Sequence, residues 1–127
     1  MRSLLLIYKT LMALLLPVLI IRLLIRSIGD CSYRLNLPER LAFFSRDTSA
    51  DIWVQAVSLG EVRASAELVE SILKAFPKSK VLITSTTPSG SAEVRRLFGD
   101  RVIHCLMPFD SALLIRSALS QICPKAV

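Results

Sequence analysis

The run Leu4 to Ile25, "LLLIYKTLMALLLPVLIIRLLI", constrains this 127-residue chain more than any other stretch. It is apolar on every side of a helical wheel except at Lys9, Thr10 and Arg22. As a helix, 22 residues cover about 33 Å, enough for a hydrocarbon core of about 30 Å. The uninterrupted part between Lys9 and Arg22 covers only about 18 Å, so crossing requires both cations to snorkel to opposite interfaces. Lys9 and Arg22 fall well apart on the wheel and form no polar stripe, which favours crossing over lying flat. Pro17 predicts a kink in mid-segment.

The flanks bear on what this segment is. No small-x-small cleavage site follows Ile25, where the chain reads "RSIGDCSYR", and Cys31 after Asp30 is a poor lipid-attachment site, so an uncleaved anchor over residues 1–28 is expected. Arg26, Arg34, Arg40 and Arg46 follow it, against Arg2 and Lys9 before its centre, and the positive-inside rule puts the rest of the chain in the cytoplasm. The net charge of +6 is concentrated here: residues 1–50 hold seven Lys/Arg against three Asp/Glu, residues 51–127 nine against seven. Beside an apolar segment that excess suggests an anionic membrane surface. No aromatic-basic interleaving accompanies the charge, so no nucleic-acid partner is expected.

Residues 29–50 form a basic juxtamembrane linker with room for one short helix around Glu39 to Phe44. Leu41, Phe43 and Phe44 beside Arg40 and Arg46 suit a segment resting on the membrane, and equally a linker packed on the domain. Cys31, Cys105 and Cys123 are an odd set without C-x-x-C spacing; neither a disulfide framework nor a zinc site follows, and a reducing compartment fits. Buried hydrophobe or inert thiol is the expected role of each.

After Asp51 the pattern becomes short β-rich runs alternating with amphipathic segments. "DIWVQAV" (51–57), "KVLITS" (80–85) and "RVIHCL" (101–106) have strand length and composition. Leu68, Val69, Ile72, Leu73 and Phe76 make one apolar helical face, ended at Pro77. Further helices are expected at Ser91 to Phe98, stopped by Gly99-Asp100, and at Ser111 to Ile122, stopped by Pro124. The order βαβαβα predicts an α/β fold with a parallel sheet and right-handed crossovers, a partial Rossmann-like domain over residues 51–127. Three strands are few for a finished domain, and "PKAV" stands where another would begin, so a piece of a larger protein is expected.

In such a sheet the loops after the strands share one edge, where ligands bind. They are "SLGE" (58–61), "TTPSG" (86–90) and "MPFD" (107–110). Thr86, Thr87, Ser89 and Gly90 precede a helix N-terminus and suit an anionic or sugar ligand, although "TPSG" is also an ordinary capping turn. The Lys of a Walker loop and a G-x-G-x-x-G are both missing. "AVSLG" resembles a nucleophile elbow around Ser58 only loosely, with Ala56 at the first Gly position, and His104, the one histidine, reads as a packed strand residue.

Glu61 has two readings. Ser58-Leu59-Gly60-Glu61 matches the capping box, with Val57 and Val62 at the staple positions. Yet Gly60 is a poor first-turn residue if helix initiation is the whole task, and its missing side chain would let a substrate approach an ionised carboxylate. As a general base that carboxylate would be worth about 10²–10⁴ in rate. Physics alone does not choose between them.

"IWVQAVSLGEVRAS", then "P-x-x-x-VLITSTTPSGS", then "FGDRVIHCLMPFD", all after an apolar anchor, resembles the start of the 3-deoxy-D-manno-octulosonic acid (Kdo) transferases of Gram-negative bacteria. The resemblance implies a GT-B glycosyltransferase with two Rossmann-like domains, moving Kdo with inversion from CMP-Kdo onto the lipid A precursor in lipopolysaccharide synthesis. It implies action at the cytoplasmic face of the inner membrane, without metal or cofactor beyond the donor substrate. It maps the base onto Glu61 and an acceptor-side loop onto Ser85 to Gly90, with Ser58 and Gly60 beside the base; Arg26, Arg34 and Arg40 become candidates for headgroup or acceptor phosphates. Gln55 stands where the family usually has His, and Ser85 where Thr is commoner. The donor-binding C-terminal domain is expected to be missing and the chain inactive alone. The rival is a membrane-tethered α/β binding or interaction module without catalysis.

Overall fold

The computed structural model describes residues 2–26 and 37–127. Its first element, helix α1 (Arg2–Arg26), runs through Pro17. Its window Leu5–Arg22 has a mean hydropathy of 2.0 and no buried residue, so α1 is by length and composition able to cross a membrane. The Tyr8 hydroxyl donates to the Asp110 carboxylate, while Leu19 and Arg22 line a cavity of the globular part. Those contacts lie about 21 Å apart along the helix. A helix rising perpendicular to the domain would touch it at one end; α1 lies along it.

Three parallel strands, β1 (Ile52–Gln55), β2 (Val81–Ser85) and β3 (Ile103–Leu106), pair in sequence order, with Trp53 opposite Leu82 and Thr84 opposite Cys105. All five residues of β2 are buried, as a central strand covered on both faces requires. Its two hydroxyls are satisfied: Trp53 Nε1 donates to Thr84 Oγ1 at 2.9 Å, and Ser85 Oγ pairs with Ser91 Oγ at 2.9 Å and His104 Nε2 at 3.0 Å.

Strand alternation sends Val81 and Ile83 to one face and Leu82 to the other. The first face packs on Val62, Val69, Val94 and Phe98. These come from α3 (Leu59–Ala64), α4 (Ala66–Ala75) and α5 (Pro88–Phe98). The helix expected between the first two strands is thus two, divided at Ser65. Of its apolar residues Val69 is buried and Ile72 and Leu73 pack on the core, but Leu68 and Phe76 stay over half exposed. The second face packs Trp53, Leu82 and Cys105 on Ala118 and Ile122 of α6 (Ala112–Ile122). α6 ends at Ile122 as expected, with Cys123 as its left-handed cap before Pro124.

The chain then returns to the free edge of β1. Trp53 N–H donates to the Ala126 carbonyl at 2.9 Å, Ala126 bridges Ile52 in parallel, and Lys125 pairs with Asp51 at 2.7 Å. Residues 125–126 therefore take the place of a fourth strand on the far side of β1, and the winding reverses there. In a doubly wound sheet that reversal is where ligands bind.

The described half of the 29–50 segment packs on the second face. Its short helix, α2 (Leu37–Arg40), begins and ends earlier than expected, and Ala42 and Ala50 join the core.

Candidate functional site

Glu61 sits at the tip of β1, on the first turn of α3, exposed. The capping box expected there is not made: Ser58 gives no side-chain cap, and Glu61 Oε2 reaches past it to accept from Val57 N–H at 2.9 Å. The staple fails too, because Val62 is fully buried while Val57 is 39% exposed. One backbone donor thus orients the carboxylate, and no cation among the described residues pairs with it.

A Cβ built on Gly60 would meet only Ser58 Oγ, at 3.9 Å, so nothing in the described chain requires glycine there. Gly90 is the opposite case. It is buried, and a Cβ would lie 3.1 Å from Thr87 Oγ1, 3.3 Å from Ser85 Cβ and 3.4 Å from the Ser58 carbonyl carbon. Its missing side chain lets the start of α5 close on the turn after β1. Thr87 caps α5, with Oγ1 accepting from Gly90 N–H at 3.1 Å and lying 3.3 Å from Ser89 Oγ. That occupies a donor expected to be open to an anion. The "SLGE" and "TTPSG" turns do meet, since Thr86 N–H also donates to the Val57 carbonyl at 3.0 Å.

At the edge where the strands end lies a cavity of about 680 Å³, which Thr86 lines and Ser58, Gly60, Glu61, Thr87, Ser89 and Gly90 do not. Gln55, Thr86 and the segment Met107–Asp110 supply walls after β1, β2 and β3, while Leu19 and Arg22 of α1 close one side. Arg40 is built into it. Only 4% exposed, Arg40 donates from Nη2 to the Thr86 carbonyl at 2.7 Å and stands 5.8 Å over the Phe109 ring, and its own carbonyl accepts from Phe109 N–H at 3.0 Å. Glu39 accepts from Leu106 N–H at 2.6 Å. Arg40 thus joins the turns after β2 and β3 and is no surface contact for lipid headgroups. Arg34 and the Arg26 side chain lie outside the described residues. Gln55, Leu19 and Arg22 are lining residues that sequence reasoning did not propose; Gln55 is the residue just where β1 ends.

Glu93, on α5, is buried between Arg63 of α3 at 2.8 Å and Arg96 at 2.8 Å. Hydrogen bonds from Arg96 and then Arg63 hold its carboxyl at about 2. That pair ties the helix bearing Glu61 to the helix behind the T-T-P-S-G turn. Burial lowers His104 to about 4, leaving a neutral ring bonded to Ser85, with no base for a Ser58 nucleophile. Burial lifts the Cys105 thiol to about 12, an inert buried group. Among the described residues no three of His, Cys, Asp and Glu cluster as metal ligands.

A parallel α/β sheet with an exposed carboxylate after its first strand, and at the same edge a cavity that an apolar N-terminal helix helps to line, defines an α/β protein with a helix long and apolar enough to cross a membrane. A family model described as 3-deoxy-D-manno-octulosonic-acid transferase (kdotransferase) matches residues 35–127, and the chain belongs to that family. Among similar curated proteins, a 3-deoxy-D-manno-octulosonic acid transferase of Haemophilus influenzae is 30% identical over 121 residues, 93% of this chain and 28% of the relative. The protein of that name from Bordetella pertussis is 39% identical over 83 residues, 61% of this chain and 19% of the relative. That from Rickettsia bellii is 32% identical over 116 residues, 89% and 28%. The chain spans between about a fifth and little more than a quarter of the length of these relatives. No solved structure matches.

Proposed function

We propose that this chain is the acceptor-side part of an inverting GT-B transferase that moves Kdo from CMP-Kdo to a hydroxyl of the lipid A precursor, without a metal. The observation that carries the reading is Glu61, an exposed carboxylate on a first helical turn at the reversal of the sheet, next to a glycine that packing does not require. As the acceptor oxygen bonds to the anomeric carbon and CMP departs with its electron pair, the acceptor proton passes to Glu61. Val57 N–H fixes one carboxylate oxygen and leaves the other to the substrate. Thr86, Gln55 and the Arg40-held turns shape the space for the acceptor sugar, while α1 keeps the domain at the cytoplasmic face of the inner membrane.

The test is a chimera in which these residues replace the aligned 28% of the Haemophilus influenzae relative. Supplied with CMP-Kdo and lipid A precursor in membranes, it should form the Kdo-bearing product. A folded, membrane-bound chimera that transfers nothing, where the parent relative does, would contradict the assignment. The bond from Val57 N–H favours one alternative, a binding module in which Glu61 only secures its own turn; Glu61→Gln keeps that bond and separates the two.

A further inference from the structure

α2 ends in a Schellman motif: Ala42 N–H donates to the Glu39 carbonyl and Phe43 N–H to the Pro38 carbonyl, each at 2.9 Å. Ala42 holds the left-handed position at φ 60°, where glycine is usual. Gln121 of α6 grips the turn from the other side, Nε2 donating to the Ala42 carbonyl at 2.7 Å and Oε1 accepting from Phe44 N–H at 3.3 Å. The side chain fixed in place by all this is Phe43, which usually would fold back on the helix in such a motif and is here 70% exposed. Leu113, on the first turn of α6, is 77% exposed.

Phe43 and Leu113 face each other across a crevice of 460 Å³ whose rim carries Arg116. Leu113 also walls the adjoining crevice between α6 and α1, with Leu5, Tyr8 and Met12 opposite. An apolar surface therefore continues from α1 over Leu113 to Phe43. A strained turn, braced from two elements, that holds a phenyl ring in water marks a contact surface.

We propose that the Phe43–Leu113 edge is a second lipid contact, in which the two side chains enter the acyl boundary of the bilayer that α1 occupies and Arg116 meets anionic headgroups. Continuity with α1, whose apolar window holds no buried residue, and the net charge of +6 select a lipid surface as the occupant. The consequence is orientational. α1 alone leaves the domain free to roll about the helix axis; a second contact to one side stops the roll and holds the cavity at a fixed height over the headgroups. The inference rests on α1 lying in lipid and is independent of the transferase reading.

The test uses the whole chain in vesicles of phosphatidylglycerol and acyl-brominated phosphatidylcholine, with tryptophan placed by Phe43→Trp, Leu113→Trp, Leu14→Trp on α1, or Leu68→Trp on the opposite face. Trp53, 3% exposed, gives a background measured on the unsubstituted protein. Tryptophan at 43 and at 113 should be quenched roughly twofold or more beyond that at 68, matching the trend at 14. Adding Gln121→Ala should weaken quenching at 43 and leave it unchanged at 14. Quenching at 14 with none at 43 overturns the proposal, as does no quenching at 14. So does shielding of residue 43 from both bromolipid and aqueous acrylamide, which would make a second copy the occupant.

Discussion

An added methyl at Gly60 would meet open space, whereas at Gly90 it would press on three neighbours at 3.1 to 3.4 Å. Gly90→Ala should therefore lower stability by about 1–3 kcal/mol, read from the urea midpoint. Gly60→Ala should leave stability unchanged or raise it by up to about 1 kcal/mol, because alanine is the better helix former. If Gly60 is where the acceptor approaches, that same variant loses transfer rate while gaining stability; loss of stability would show that the glycine serves the fold. His104 gives a second handle at this scale. Its folded value of about 4 lies below the ordinary 6.5, so the unfolded chain binds the proton first and stability falls as pH drops from 6.5 toward 4. His104→Asn should flatten that limb of the pH–stability curve, and an unchanged limb would refute the neutral, buried ring.

Glu93 acts between elements, joining α3 to α5 through Arg63. Because its folded value is depressed, its contribution is present above about 4.5 and is lost as pH falls toward about 2. Glu93→Gln should remove that acid limb and loosen the α3–α5 contact, read as faster amide exchange in residues 59–64; exchange at the wild-type rate would mean the tie does not hold α3. Most elements were legible in the sequence. β2 announces itself through the β-branched, uninterrupted "VLITS", and α5 was expected over Ser91 to Phe98, although it starts three residues earlier, at Pro88 behind its cap Thr87. What was not legible depends on pairs far apart in the chain. Ser58 to Glu61 reads as a capping box, and in the fold Val57 N–H takes the carboxylate instead. Arg40 reads as a surface cation, and its burial needs Thr86 and Phe109 to arrive from two other loops.

For the whole molecule the governing feature is the return of residues 125–126 to the outer edge of β1. It makes β1 the strand where the winding reverses, and hence its tip, with Glu61, the place where a ligand should sit. The position of α1 could not be read from local patterns, because the Tyr8–Asp110 hydrogen bond joins residues 102 apart. Phe109 and Asp110 thereby link helix, cavity and sheet edge in one segment. Asp110→Asn keeps a partner for the Tyr8 hydroxyl and should leave α1 docked, whereas Asp110→Leu should release it, seen as faster proteolysis within residues 2–26; equal proteolysis in both would mean the bond does not seat the helix. The most direct measurement of the central claim is the single-turnover rate of Kdo transfer by the chimera carrying Glu61→Gln. The account predicts unchanged folding and membrane binding with a rate about 10²–10⁴ lower. A rate equal to that of the unsubstituted chimera would contradict it.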